Sequence, residues 1–129
     1  MNKLDKDSII GISALLVHAA KIDEIYSNHE KDLIKDFIKS YLKEGDANEI
    51  LKRAEEIEKN SNQLLSFTNI IKKNKIDIKK DILEHLWKVI ISDNTVDQYE
   101  SNLMRRICGL IYFSDKECAE IKLKLINSK

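Results

Sequence analysis

Three carboxylates, those of Asp93, Asp97 and Glu100, fall within the stretch SDNTVDQYE, Ser92 to Glu100. Oxygen donors gathered on one turn, with turn carbonyls beside them, suit hard divalent cations such as Ca²⁺, Mg²⁺ and Mn²⁺. The D-x-x-x-D-x-x-E spacing is not an EF-hand, because the D-x-D-x-D-G loop with Glu at its twelfth position is absent. The same acids also have a purely structural use. DQYE, Asp97 to Glu100, reads as a capping box: the first side chain accepts from the third helical N–H, and the Glu reaches back to the cap N–H.

SNHE (Ser27 to Glu30), DANE (Asp46 to Glu49) and SDKE (Ser114 to Glu117) are boxes of the same kind. Glu30 and Glu100 therefore need no metal to explain them. Asp23 and Asp93 discriminate, each lying four residues before its cap at the end of a preceding helix, where the other two boxes carry Leu42 and Leu110. An acid there faces the negative end of the helix dipole, at a cost of a few tenths of a kcal/mol to about 1 kcal/mol. A local hydrogen bond to the turn, a nearby Lys or a bound cation would offset it. The first turn has Ser27 where the second has Asp97, so it would bind an ion more weakly.

These turns must be held by helices. Apolar residues recur at helical spacing almost throughout. Ile9, Ile12, Leu16 and Ala19 or Ala20 mark one face of a first helix. Leu33 to Leu42 mark a second, and Ile50, Leu51, Ala54 and Ile57 a third. Leu64, Leu65, Phe67, Ile70 and Ile71 mark a fourth; Ile82, Leu83, Leu86, Trp87, Ile90 and Ile91 mark a fifth. Leu103, Met104, Ile107, Leu110 and Ile111 mark a sixth. Ala119, Ile121, Leu123, Leu125 and Ile126 suggest a short, less regular seventh. Gly45, just before Asp46, stands where a helix end needs a residue tolerant of positive φ.

Shifting the sequence by 70 residues places Asp23 on Asp93, Glu30 on Glu100, Ile12 on Ile82, Leu16 on Leu86 and Leu33 on Leu103. The matches fall on one unit of apolar helix, acidic turn and capped helix, which predicts an internal duplication. The expected fold is all-α: about seven helices in one compact bundle over residues 1–129, with two pseudo-symmetric helix–turn–helix halves of roughly 8–60 and 76–126.

The bulk numbers agree. The chain has 129 residues, no Pro and three Gly, too few turn-formers for an all-β protein of this size. Its 22 basic and 22 acidic residues cancel, so nucleic acid is not an expected partner. No signal peptide is read at the N-terminus, and no apolar stretch is long enough to span a bilayer, so a cytoplasmic protein is expected. Cys108 and Cys118 do not form a C-x-x-C and read as a reduced pair. His18, His29 and His85 lack zinc spacing. No nucleophile signature or phosphate loop occurs, so no catalytic residue is assigned and no enzyme is expected. The lysines of IIKKNKIDIKK, Ile70 to Lys80, read as a solvated connection between the halves, and Trp87 as a core residue.

LLVHAAKIDEIYSNHEKDLI and LEHLWKVIISDNTVDQYESNLMRRICGLI resemble the two halves of TerB-like domains, the tellurite-resistance TerB family. The specific part is L-W-x-V-x-x-x-D-x-x-x-D-x-x-E followed by an L-x-R-R-I helix; FTNIIKKN before it also fits, and the resemblance covers roughly residues 8 to 126. It implies a helical fold of two related halves, acidic clusters proposed to bind divalent cations, and a stress-response or membrane-complex setting, with no enzymatic activity established for the family. By position it implies Asp23 and Glu30 in the first half, and Asp93, Asp97 and Glu100 in the second. The chain departs from the family at His18 and Lys88, where Glu is frequent, at Asn94 for Gly, and at Ser27 for Asp. The expected function is a non-enzymatic module that binds a divalent cation and works with a protein partner, in a membrane-associated complex without inserting itself. The alternative is a metal-independent helical adaptor.

Overall fold

The computed structural model describes residues 4–22, 26–42, 45–61, 65–91 and 98–127, the side chains of 98–100 excepted. The elements among them are seven helices: α1 (Lys6–Ala20), α2 (Asn28–Tyr41), α3 (Ala47–Asn60), α4 (Leu65–Lys72), α5 (Ile76–Ile90), α6 (Gln98–Leu110) and α7 (Asp115–Asn127). No strand occurs among the described residues. The all-α expectation holds.

Local chemistry explains the helix starts. Asp5 caps α1, its Oδ1 accepting from Ser8 N at 2.7 Å. Ser27 and Glu30 form the full reciprocal box on α2. Asp46 caps α3 differently from expectation, its side chain accepting from Asn48 N at 2.9 Å rather than from Glu49. Ser114 Oγ accepts from Glu117 N at 3.4 Å ahead of α7. Gly45 adopts the positive φ expected of it, 129°, although α2 already ends at its C-cap Leu42. Between α4 and α5, Asn74 Nδ2 donates to Ile70 O at 2.8 Å and closes a tight turn.

α1 departs from its expected single apolar face. Ile9, Ile10, Ile12, Leu15, Leu16 and Val17 are all buried, so α1 is covered nearly all round. It packs against α2, α3, α4 and α5 and forms the axis of the bundle. A helix apolar around its whole circumference belongs in the interior, and IIGISALLV contains no charge to place elsewhere. Gly11 leaves room for α4's side chains: a Cβ there would run into the tip of Ile70, its Cδ1.

Other expectations shift at the periphery. Ile57, Leu65, Leu123 and Ile126 point largely to solvent. α7 is a full helix rather than a short one, and its buried residue is Cys118. Leu64 lies outside the described residues. A shift of 70 residues carries the bounds of α1 onto those of α5 and the start of α2 onto that of α6, which does not by itself make the two halves symmetric. The packing is less even: α1 lies against both α2 and α3, whereas α6 leans on α4 and α7.

Candidate functional site

The first acidic turn joins α1 to α2. Asp23 lies outside the described residues. Glu30 is buried and turned back on its own helix start: Ser27 N donates to Glu30 Oε1 at 2.8 Å, Ser27 Oγ donates to the same oxygen at 3.1 Å, and Glu30 N donates to Ser27 Oγ at 3.2 Å. One Glu30 oxygen is thereby committed to the cap.

Basic side chains make contacts on either side of this turn. Lys21 Nζ donates to Glu58 Oε1 at 2.8 Å, and His18 Nδ1 lies 3.4 Å from Glu58 Oε2. These contacts tie the end of α1 to α3. Lys31 and Lys21 stand 5.0 and 5.9 Å from the Tyr26 ring centroid, within cation–π range. Tyr26 OH donates to Glu55 Oε2 at 2.6 Å. Burial, and then the Glu55 carboxylate, push the Tyr26 phenol well above its usual range. A cleft of about 410 Å³ runs past these groups, lined by Lys21, Tyr26, Lys31, Lys52, Glu55, Glu56 and Lys59.

The second acidic turn joins α5 to α6. Asp93 and Asp97 lie outside the described residues, as does the side chain of Glu100, whose backbone belongs to the first turn of α6. α6 begins at Gln98, immediately after the residue the sequence reads as its cap. The flanks are apolar and firm: Ile90, Ile91, Leu103 and Met104 are buried. Lys88, a departure from the family pattern, is exposed on the last turn of α5. Among the described residues, no three of His, Cys, Asp and Glu gather so as to hold an ion.

Two polar constellations were not singled out by sequence reasoning. Tyr41 OH donates to Asp81 Oδ2 at 2.6 Å, and His85 Nε2 lies 3.7 Å from the same oxygen, linking α2 to α5. Burial, reinforced by Asp81, raises the Tyr41 phenol well above its ordinary range. Asp81 and His85 are four apart on α5, a visible helical pairing, but nothing local announces Tyr41. The second constellation joins Trp87 to Cys118, with Nε1 donating to Sγ at 3.3 Å. Trp87 is the core residue expected, and its N–H finds a sulfur there.

The chain matches the family described as "Tellurite resistance protein TerB" over residues 10–123. No curated protein and no solved structure matches it.

Proposed function

The chain belongs to the tellurite resistance protein TerB family, and from that premise we propose that it is a non-enzymatic module whose second acidic turn holds a divalent cation. The carrying observation is the D-x-x-x-D-x-x-E of Asp93, Asp97 and Glu100, which lies inside the matched span and between two firmly packed helices. Asp93, Asp97 and Glu100 would supply the carboxylate oxygens. The first turn, with Asp23 and Glu30, is the weaker site. Ser27 replaces an acid there, Glu30 is drawn into its capping box, and Lys21 and Lys31 stand nearby.

In this reading the module serves a stress response, tellurite resistance among its forms, in the cytoplasm. It works by docking a protein partner, including one in a membrane-associated complex. It does not insert itself: among the described residues no helix is long and apolar enough to cross a membrane. A second reading has one observation in its favour. The Glu30 box is complete without an ion, as expected of a metal-independent adaptor whose acids only punctuate helices.

Thermal melts separate the two. The chain is melted in EDTA and in millimolar Ca²⁺, Mg²⁺ or Mn²⁺, alongside the Asp93→Asn, Asp97→Asn double variant. Ion at about 100 times its Kd adds about 2.7 kcal/mol, a rise of roughly 10 °C for a domain of this size. The expected result is that rise in the parent and none in the variant. Superimposed melts in every condition would leave the adaptor.

A further inference from the structure

The lysines of the α4–α5 junction stand on a firmly held turn. Ile71 and Ile78 are buried, so both ends of the turn are anchored in the core. Asn74 closes it from inside, its Nδ2 donating to Ile70 O and its backbone N–H to Ile71 O at 3.0 Å. Lys72, Lys73, Lys75 and Lys80 are exposed and Lys79 is half-buried, with Asp77 the one acid among them. Among the described residues, the ion pairs are those of His18 and Lys21 with Glu58 and of His85 with Asp81, and none of the five lysines enters one. Their charge is therefore turned to solvent.

Two large apolar groups break the surface beside them. Ile76, the first residue of α5, is 49% exposed. Tyr112, where α6 ends, is 72% exposed, and Lys72 Nζ lies 4.6 Å from its ring centroid, which sets ring and turn side by side. Tyr112 holds φ 58°, a position that favours glycine, so the ring is kept there at a backbone cost. Ile76, Lys79 and Lys80, spaced i, i+3 and i+4, share one face at the start of α5. The junction holds five of the 22 basic residues of the chain and one of the 22 acidic ones, so it is net positive and the remainder of this neutral protein is net negative. A neutral chain has no overall attraction to an anionic surface. The uneven distribution decides which face would meet one.

We propose that the α4–α5 junction is a membrane-docking surface, which lays its lysines on the headgroups of an anionic bilayer while Ile76 and the Tyr112 ring enter among them. Lysine heads beside anionic lipid gain an attraction that fades within a Debye length, about 8 Å at physiological salt. Exposed apolar tips add burial that phosphate alone would not reward. A tyrosine, apolar in its ring and polar at its hydroxyl, suits the headgroup level. The combination favours lipid over nucleic acid, whose phosphates would use the lysines but leave Ile76 in water. The contact is peripheral and spans nothing. It stands apart from the cation reading of the acidic turns, which belong to the α1–α2 and α5–α6 connections.

The test is co-sedimentation of the full chain with phosphatidylcholine vesicles carrying about one-third phosphatidylserine, or none. EDTA is present throughout, so that no divalent cation bridges the acidic turns to lipid. Binding is expected to be roughly a hundredfold tighter on the anionic vesicles and to weaken as salt rises. The Lys73→Gln, Lys75→Gln pair should lose roughly 25-fold, about fivefold for each lysine. The Lys52→Gln, Lys59→Gln pair, an equal change of charge at exposed positions of α3, should bind like the parent. Ile76→Ser and Tyr112→Gly should each lose roughly fivefold. Glycine keeps the left-handed turn, so the second of these loses only the ring. Circular dichroism checks the fold of every variant. Failure of the parent to bind anionic vesicles would overturn the proposal whatever the variants do. So would equal losses in the two lysine pairs, or undiminished binding by both apolar variants. A single-stranded RNA that displaces the vesicles, and binds the apolar variants as well as the parent, would overturn it in favour of a nucleic-acid site.

Discussion

His85 is a histidine placed where a proton is unwelcome. Its side chain is 12% exposed, and its ring meets Phe37 edge-on with centroids 5.2 Å apart. Burial and the neighbouring Lys88 pull its pKa below 6.5, while Asp81, Glu84 and Asp36 pull the other way without reversing the direction. The sign follows from linkage. The unfolded imidazole takes a proton as pH falls through about 6.5, and the folded one resists it, so the stability due to neutral His85 is present above that pH and is lost below it. Urea melts at about pH 7, 6 and 5 should show unfolding free energy falling toward acid, with a shallower fall in His85→Gln. Parallel pH curves for the two chains would mean that His85 does not carry the effect.

At the scale of the element, the end of α6 illustrates how a helix stops. Tyr112 takes φ 58°, Phe113 N donates to Cys108 O at 2.9 Å, and Tyr112 N donates to Gly109 O at 3.4 Å. This is the Schellman pattern, with a tyrosine in the left-handed position that glycine usually takes. Lys72, 4.6 Å from the Tyr112 ring centroid, adds a contact a glycine would lack. Gly109 lies one turn earlier, inside the helix, and a Cβ added there meets nothing within 4 Å. Gly109→Ala should therefore stabilise the chain by about 0.5–1 kcal/mol through helix propensity alone, read as a rise of a few degrees in Tm. A fall would reveal a close neighbour of that face.

Across the whole molecule, α1 carries the largest share of the packing. Leu16 is fully buried at its centre, in the helix that α2, α3, α4 and α5 all touch. Leu16→Ala removes apolar surface and leaves a cavity that four helices cannot all close, at a cost of roughly 3 kcal/mol. A loss of roughly 10 °C in Tm is the expected reading. Leu123→Ala, at a position 56% exposed on α7, should change Tm little. Equal losses at the two positions would show that burial does not rank these helices.

Much of this arrangement was legible in the residues. Helical period, caps and the Gly45 turn depend on hydrogen bonds within about four residues, so the sequence determines them without reference to the rest of the chain. The matching 15-residue lengths of α1 and α5 are equally legible, because each helix carries its own local apolar period. The uncharged run in α1 already implied a helix buried all round, although the spacing of Ile9, Ile12 and Leu16 reads as one face. The tertiary structure alone decided which polar groups meet. His18 finds Glu58 and Tyr41 finds Asp81, each across 40 residues, and Trp87 finds Cys118 across 31. It also decided that Glu30 spends an oxygen on its cap and that Cys118 lines a cleft. Such meetings are set by how helices cross and interdigitate, which depends on the fit of many side chains at once. No local pattern encodes that fit.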